Sequence, residues 1–235
     1  MSLEAGIIAA GLGTRLAESH PGLPKPLVPL AGKPLCHWIA GSLKQAGVER
    51  ITVLHNSSGR AIRDSLTRGL PDVRWTFLEA DTASSWESFR LVSRTLAESA
   101  DCFLMSTVDA IVPPAETRRF AQACAAAKAE AGLALTSFVD DEKPLWSQLD
   151  ASGRVAALGD RCSKRELVTS GLYYMTASAA RRMPEAGRFT ALRQFLGHLV
   201  DSGANVHGHV LGKTLDVDRP EDVAQAERFL VGASW

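Results

Sequence analysis

Short apolar runs alternate with longer stretches in which apolar residues recur at helical spacing. Ala5 to Ala10 is a compact apolar run that ends in a glycine-rich turn, the pattern of a buried strand. Similar strands are expected at Ile51–Leu54, Val73–Leu78, Cys102–Val108 and Leu133–Val139. Between them the pattern predicts helices over Pro34–Gln45, Ser58–Arg68, Ser85–Glu98 and Pro114–Ala131, with Gly47, Gly69 and Pro71 as stop signals. Residues 11–33, dense in glycine and proline, read as a loop. Strand–helix alternation over the first 140 residues requires crossovers between parallel strands, hence an α/β sheet with helices on both faces.

Beyond residue 140 the rhythm changes. Trp146–Leu149 and Arg154–Leu158 flank Asp150-Ala151-Ser152-Gly153, a hairpin signal. Gly171–Met175 reads as a strand, Ala177–Met183 and Thr190–Asp201 as helices, Asn205–Leu211 and Leu215–Val217 as short strands, and Pro220–Leu230 as a last helix. No internal repeat or linker interrupts the chain, so one continuous domain is expected over 1–235. The fold class is α/β: a Rossmann-like mixed, mostly parallel central sheet with a small hairpin-containing subregion.

Composition narrows the choice of partners. The 235 residues carry 26 Lys plus Arg against 26 Asp plus Glu, a formal net charge of zero. That removes any whole-chain case for a nucleic-acid or anionic-membrane binder, but leaves room for a small anion held by a local cluster. With 46% hydrophobic and 22% charged residues the chain is globular in composition. No run approaches the roughly 18 apolar residues of a membrane helix, and no secretory leader pattern opens the sequence. Cys36, Cys102, Cys124 and Cys162 lie in no metal-binding spacing, so they read as reduced, mostly buried thiols of a cytoplasmic protein.

Chemistry concentrates in Ala9-Ala10-Gly11-Leu12-Gly13-Thr14-Arg15, placed where the first strand ends. Glycines allow the backbone to approach a phosphate, and successive N–H groups in such a turn bind anions. A dinucleotide fingerprint would need a third glycine where Leu16 stands, and a P-loop would need GxxxxGK[ST]; neither is present. Gly212-Lys213-Thr214 precedes a strand and reads as a turn. Farther along, Pro24 and Pro26 stiffen the segment that presents Lys25, and Gly32-Lys33-Pro34 follows. A rigid lysine and a loop arginine beside a glycine turn suit a polyphosphate.

The string from residue 7 to residue 35, with its GxGTR, PKP and GKP elements, resembles the signature of the sugar nucleotidyltransferase family. The resemblance implies that Ala10, Gly11, Leu12, Gly13, Thr14 and Arg15 hold a nucleoside triphosphate. Lys25 would meet its α-phosphate, with Arg15 and Lys25 as the catalytic cations. It further implies a Mg²⁺ cofactor on Asp109, at the end of an apolar strand, and on Asp216 of Leu215-Asp216-Val217-Asp218-Arg219-Pro220-Glu221-Asp222. Val108 stands where relatives have glycine. Asp218 is a further candidate metal ligand, but with Glu221 three residues on it also reads as a helix capping box. The 79–85 loop, with Glu79, Thr82 and Ala83, would recognise the base, and Ser84 or Ser85 would cap the next helix.

On the acceptor side, Ser170-Gly171-Leu172-Tyr173-Tyr174 resembles a family strand whose glycine passes the sugar. Gly171 and Lys164 are the candidate acceptor residues. Residues 1–140 would form the nucleotide half and 141–235 the acceptor half with the second metal motif. The implied reaction is NMP transfer from an NTP to a sugar-1-phosphate with release of pyrophosphate. The alternatives are cytidylyl transfer to phosphocholine, inositol phosphate or a similar phospho-alcohol, and a non-catalytic nucleotide-binding module. The partners expected are an NTP and a small phosphorylated acceptor, with no nucleic acid or membrane. The base, the acceptor and the oligomeric state are not legible.

Overall fold

The computed structural model describes residues 3–11, 13–17, 20–139 and 143–232, with the side chains of Thr14 and Ala17 outside the description. The parallel core consists of β1 (Leu3–Ala9), β4 (Val48–His55), β5 (Arg74–Glu79) and β6 (Cys102–Thr107). β1 is central, paired in parallel with β4 on one side and β6 on the other, and β5 adds beyond β4. Among the described residues the sheet has nine strands, completed by β8 (Ala131–Thr136), β9 (Trp146–Leu149), β10 (Val155–Leu158), β11 (Leu167–Thr176) and β12 (Val206–Val210). β11 pairs antiparallel to β6, β8 and β9, and β10 pairs antiparallel to β9. β12 runs parallel to β8. β10 and β11 therefore run against the other strands, giving the expected mixed, mostly parallel α/β sheet.

Helices cover both faces, and side-chain alternation along β1 shows why. Ala5, Ile7 and Ala9 pack into one core with α2 (Leu35–Gln45), α3 (Arg60–Gly69), α5 (Pro114–Ala126) and α8 (Pro220–Gly232). Ile8 faces the other core, built with α4 (Ser85–Leu96), α6 (Ala177–Arg181) and α7 (Leu192–Asp201). There Trp86, Phe89 and Phe195 are fully enclosed, with the Trp86 and Phe195 rings 4.3 Å apart. The four cysteines are free; burial pushes the Cys36 thiol up to about 12, so it stays a neutral core residue.

Several boundaries differ from the sequence pattern. The helix expected to reach Ala131 stops at Ala126, although alanine favours helix throughout that stretch. Lys128 takes a positive φ of 48°, the Lys128 N–H donates to Ala125 and the Ala129 N–H to Cys124, which together close the helix end. β8 consequently begins at Ala131 and ends at Thr136, earlier than the expected 133–139 span. β11 extends over residues 167–176, where only 171–175 was expected, because Leu167 and Val168 find partners in β9. The 11–33 loop holds more order than its composition suggests: α1 (Thr14–Ala17), a 3-10 turn at Lys25–Leu27, and a small ladder between β2 (Pro29–Leu30) and β3 (Lys33–Pro34). The 146–158 hairpin forms as expected, with the Asp150 carboxylate accepting from the Ser152 and Arg154 backbone N–H groups.

The close seating of α4 on β1 depends on Gly6. A methyl group there would run into Val92 Cγ1 and lie 2.7 Å from the Met105 sulfur. Gly6→Ala is therefore expected to destabilise the fold by about 1–3 kcal/mol through overpacking, read as a lower denaturant midpoint at unchanged slope.

Candidate active site

The central strand fixes the position of the site. The chain after β1 returns through α2 to β4 on one side, while β6 lies on the other, so the crevice opens at the carboxyl ends of β1 and β6. Gly13 sits there with a positive φ of 59°, and a Cβ at that residue would collide with Cβ of Lys25. Glycine thus allows the loop backbone to lie directly against the lysine stem. The Pro24–Lys25–Pro26 segment is held by the 3-10 turn, in which the Leu27 N–H donates to Pro24 at 2.8 Å.

Lys25 is only 8% exposed, unusual for a lysine, and the charge is met by carboxylates from distant parts of the chain. Its Nζ donates to Asp109 Oδ2 at 2.6 Å and also to Asp218 Oδ1. Arg15, exposed on α1, reaches within 3.8 Å of the other Asp218 oxygen. Burial works to lower the pKa of Lys25, but the two carboxylates outweigh it and hold the ammonium above the ordinary lysine value. For Asp109 burial acts upward, and the neighbouring Lys25 charge together with hydrogen bonds from Lys25 and Thr107 brings the carboxyl below its usual range.

The two carboxylates meet through a minimal ladder. After β6 the chain forms β7 (Ala110–Ile111), which pairs antiparallel with β13 (Leu215–Asp216), and the Val217 N–H donates to the Asp109 carbonyl at 3.2 Å. Val108, standing where the family has glycine, does not divert this path. Its N–H donates to Ile8 of β1 at 3.2 Å and its side chain is buried.

The structure assigns the helix cap differently from the sequence pattern. Asp222, not Asp218, supplies it: its Oδ2 accepts from the Asp218 and Arg219 N–H groups at 2.8 and 2.7 Å. The capping-box reading of Asp218 with Glu221 fails because α8 begins at Pro220, which puts Asp222 at the third helical position. The Asp218 carboxylate is thereby free to face Lys25.

Gly11, Gly13, Arg15, Lys25, Asp109 and Asp218 line one cavity of about 380 Å³, with Ile8, Thr107 and Val108 completing its walls. Ala10 stands at its rim, where its carbonyl accepts from Asn56 Nδ2. Leu12 lies outside the described residues, and Thr14 opens α1. Gly171 lies behind the cavity. Its φ is 75°, a Cβ there would come within 2.7 Å of Ala110 Cβ and 2.5 Å of Thr107 Oγ1, and β11 changes partner from β9 to β6 at this bend.

Other expected residues do not enter this cavity. Asp216 is exposed on β13 opposite Ala110, where its charge acts with that of Asp109 on the buried Tyr173 hydroxyl, and the second carboxylate lining the cavity is Asp218. Lys164 lies on the hairpin side, where its N–H donates to Gln148 at 3.4 Å. Glu79 lines a separate depression with His55 and Arg60. The Thr82 hydroxyl bonds that of Ser88 at 2.5 Å, the Ala83 N–H donates to Glu87, and Ser84 caps α4. This loop is nevertheless tied to the same sheet edge, since the Ser57 N–H and hydroxyl both donate to Asp81 and neighbouring Asn56 holds Ala10. Thr107 and Asp222 were missed. The period-two spacing of Thr107 to Asp109 and the third-position spacing of Asp222 from Pro220 were the available signals.

An α/β sheet with a glycine turn, a buried lysine and paired carboxylates at its switch point is the architecture of a nucleotide-handling domain. Residues 5–198 match the MobA-like NTP transferase domain, and the chain belongs to that family. It is 26% identical to a CMP-5'-(3-aminopropyl)phosphonate synthase of Streptomyces rubellomurinus, over 96% of this chain and 38% of that protein. A shorter stretch, 20% of the chain and 20% of the relative, is 48% identical to a 2-aminoethylphosphonate cytidylyltransferase of Lancefieldella rimae. The chain thus spans well under half the length of the Streptomyces relative, and the match to the Lancefieldella relative is a local one. The fold is shared with the inositol-1-phosphate CTP transferase from T. maritima, at a TM-score of 0.83 and 21% identity over 100% of this chain and 99% of that one. Among the described residues no helix is long and apolar enough to cross a membrane.

Asp222→Ala should remove the α8 cap and cost about 1 kcal/mol, measured by chemical denaturation. Glu221→Ala, which removes neither of these cap hydrogen bonds, should shift stability by less than about 0.5 kcal/mol.

Proposed function

We propose that the chain is a nucleotidyltransferase that moves an NMP group from an NTP to a small acceptor bearing a phosphate or phosphonate, releasing pyrophosphate. The observation that carries this reading is the Lys25 ammonium set against Gly13 on one side and Asp109 and Asp218 on the other, inside one cavity. An ionised acceptor oxygen attacks the α-phosphorus in line, the new P–O bond forms, and the bond to the pyrophosphate leaving group breaks. Phosphate's second pKa of about 6 leaves that oxygen ionised at neutral pH, so no general base is required. The difficulty is the approach of two polyanions. Lys25 and Arg15 offset it, Lys25 from a buried position where its charge acts at low dielectric and Arg15 from the mouth.

Asp109 and Asp218 suit a Mg²⁺ cofactor: two hard carboxylates beside a phosphate site match an ion that keeps water and substrate oxygens as its other ligands. The described residues hold no cluster of three or more His, Cys, Asp or Glu that would cage a metal by protein alone. Bound there with the nucleotide, the ion would neutralise phosphate charge.

Two acceptor classes remain in play. A relative matched over most of the chain is named for a CMP-phosphonate product, and a structure of like fold for CTP and inositol-1-phosphate, which favours cytidylyl transfer to a phosphonate or phospho-alcohol. The resemblance of Ser170-Gly171-Leu172-Tyr173-Tyr174 to a family strand that passes the sugar makes the sugar-1-phosphate reading the second. Pyrophosphate release with four NTPs crossed against phosphonates, phospho-alcohols and sugar-1-phosphates should single out one pair. Binding of NTP without release across the whole panel would overturn catalysis in favour of a nucleotide-binding module. In the productive pair, Lys25→Ala should lower kcat by about 10²-fold; full turnover would remove Lys25 from the chemistry.

A further inference from the structure

The same lysine that would meet the α-phosphate also occupies both carboxylates that would meet the metal. These roles compete for one ammonium. We propose that Lys25 is an internal cation that keeps the Asp109–Asp218 pair closed to a divalent metal in the free protein, and yields it when a nucleotide enters with the metal. This inference rests on the nucleotidyltransferase reading and adds how the site is loaded.

Charge and packing argue for it together. Asp109 and Asp218 are balanced by Lys25 at direct contact and Arg15 at 3.8 Å, so these four groups sum to zero charge and the pair attracts a further cation less than two unpaired carboxylates would. A buried ammonium cannot leave two carboxylates for an apolar wall without a large desolvation cost. It can leave them for another anion. The lysine stem lies against Gly13, so the terminal methylenes can pivot between the carboxylates and an anion held beside Gly11, Gly13 and Arg15. A triphosphate on that loop supplies the replacement anion, and the vacated carboxylates then attract the metal. Metal and nucleotide affinities are therefore coupled, and linkage makes each raise the other by the same factor.

The test uses Mn²⁺ as probe, followed by electron paramagnetic resonance on the whole chain. Wild type should bind Mn²⁺ alone weakly and gain about 10-fold or more in affinity when a non-hydrolysable NTP analogue is added. Lys25→Met, which keeps the stem and removes the charge, should bind Mn²⁺ alone about 10-fold or more tightly than wild type. Equal Mn²⁺ affinity of the two proteins without nucleotide would overturn the proposal. A second measurement needs no variant: in ¹⁵N-lysine-labelled wild type, titration with Mg²⁺ to saturation should move the Lys25 ammonium resonance. Saturation with that resonance unmoved would equally overturn it. If no NTP analogue binds wild type at all, the nucleotidyltransferase reading fails, while the two metal-only comparisons still decide the role of Lys25.

Discussion

The site is organised by one ammonium buried between two carboxylates. Lys25, Asp109 and Asp218 come from an early loop, the middle of the chain and its last quarter, and each is placed by a different backbone device. A lysine enclosed to this degree is costly to leave without partners. The positions of the 3-10 turn, the end of β6 and the entry to α8 are therefore mutually dependent, and a shift in any of them would strand a charge.

Two glycines set the distances. Gly13 allows the loop to rest on the lysine stem, and Gly171 allows β11 to bend past Thr107 and Ala110 while exchanging β9 for β6 as its neighbour. Both residues have positive φ, and both stand where a side chain would meet its neighbour. The first brings the backbone to the cations, and the second brings the far half of the sheet up behind the carboxylates. The loops after β1, β4 and β5 are joined by short polar ties, from Asn56 to Ala10 and from Ser57 to Asp81, which hold the ends of these strands in one rim.

Much of this was legible in the residue pattern. The parallel core and the hairpin follow from period and turn chemistry, which act over a few residues, and Gly11, Gly13, Arg15, Lys25 and Asp109, singled out by local motif and family resemblance, line one cavity. The failures have the opposite character. Alanine-rich residues 127–130 favour helix locally, but hydrogen bonds to Cys124 and Ala125 end it where β8 must begin. Asp218 matched a local cap, yet tertiary contact with Lys25 claimed it and Asp222 took over the cap. Glu79, Thr82 and Ala83 follow β5 outside the cavity that Lys25 lines, with Thr82 bonded to Ser88 and Ala83 to Glu87, contacts that spacing along a chain does not reveal.

The two-residue ladder between β7 and β13 has a consequence for folding order. It is short, yet with the Val217–Asp109 hydrogen bond it brings the third member of the charge cluster to the other two. Its residues are about a hundred positions apart in sequence, so closing it requires the intervening chain to be in place. During synthesis the Lys25 loop and Asp109 would emerge and pack long before Asp218. Catalytic competence would therefore arrive late, after most of the sheet, and a chain halted partway would bury its apolar strands without completing a reactive centre.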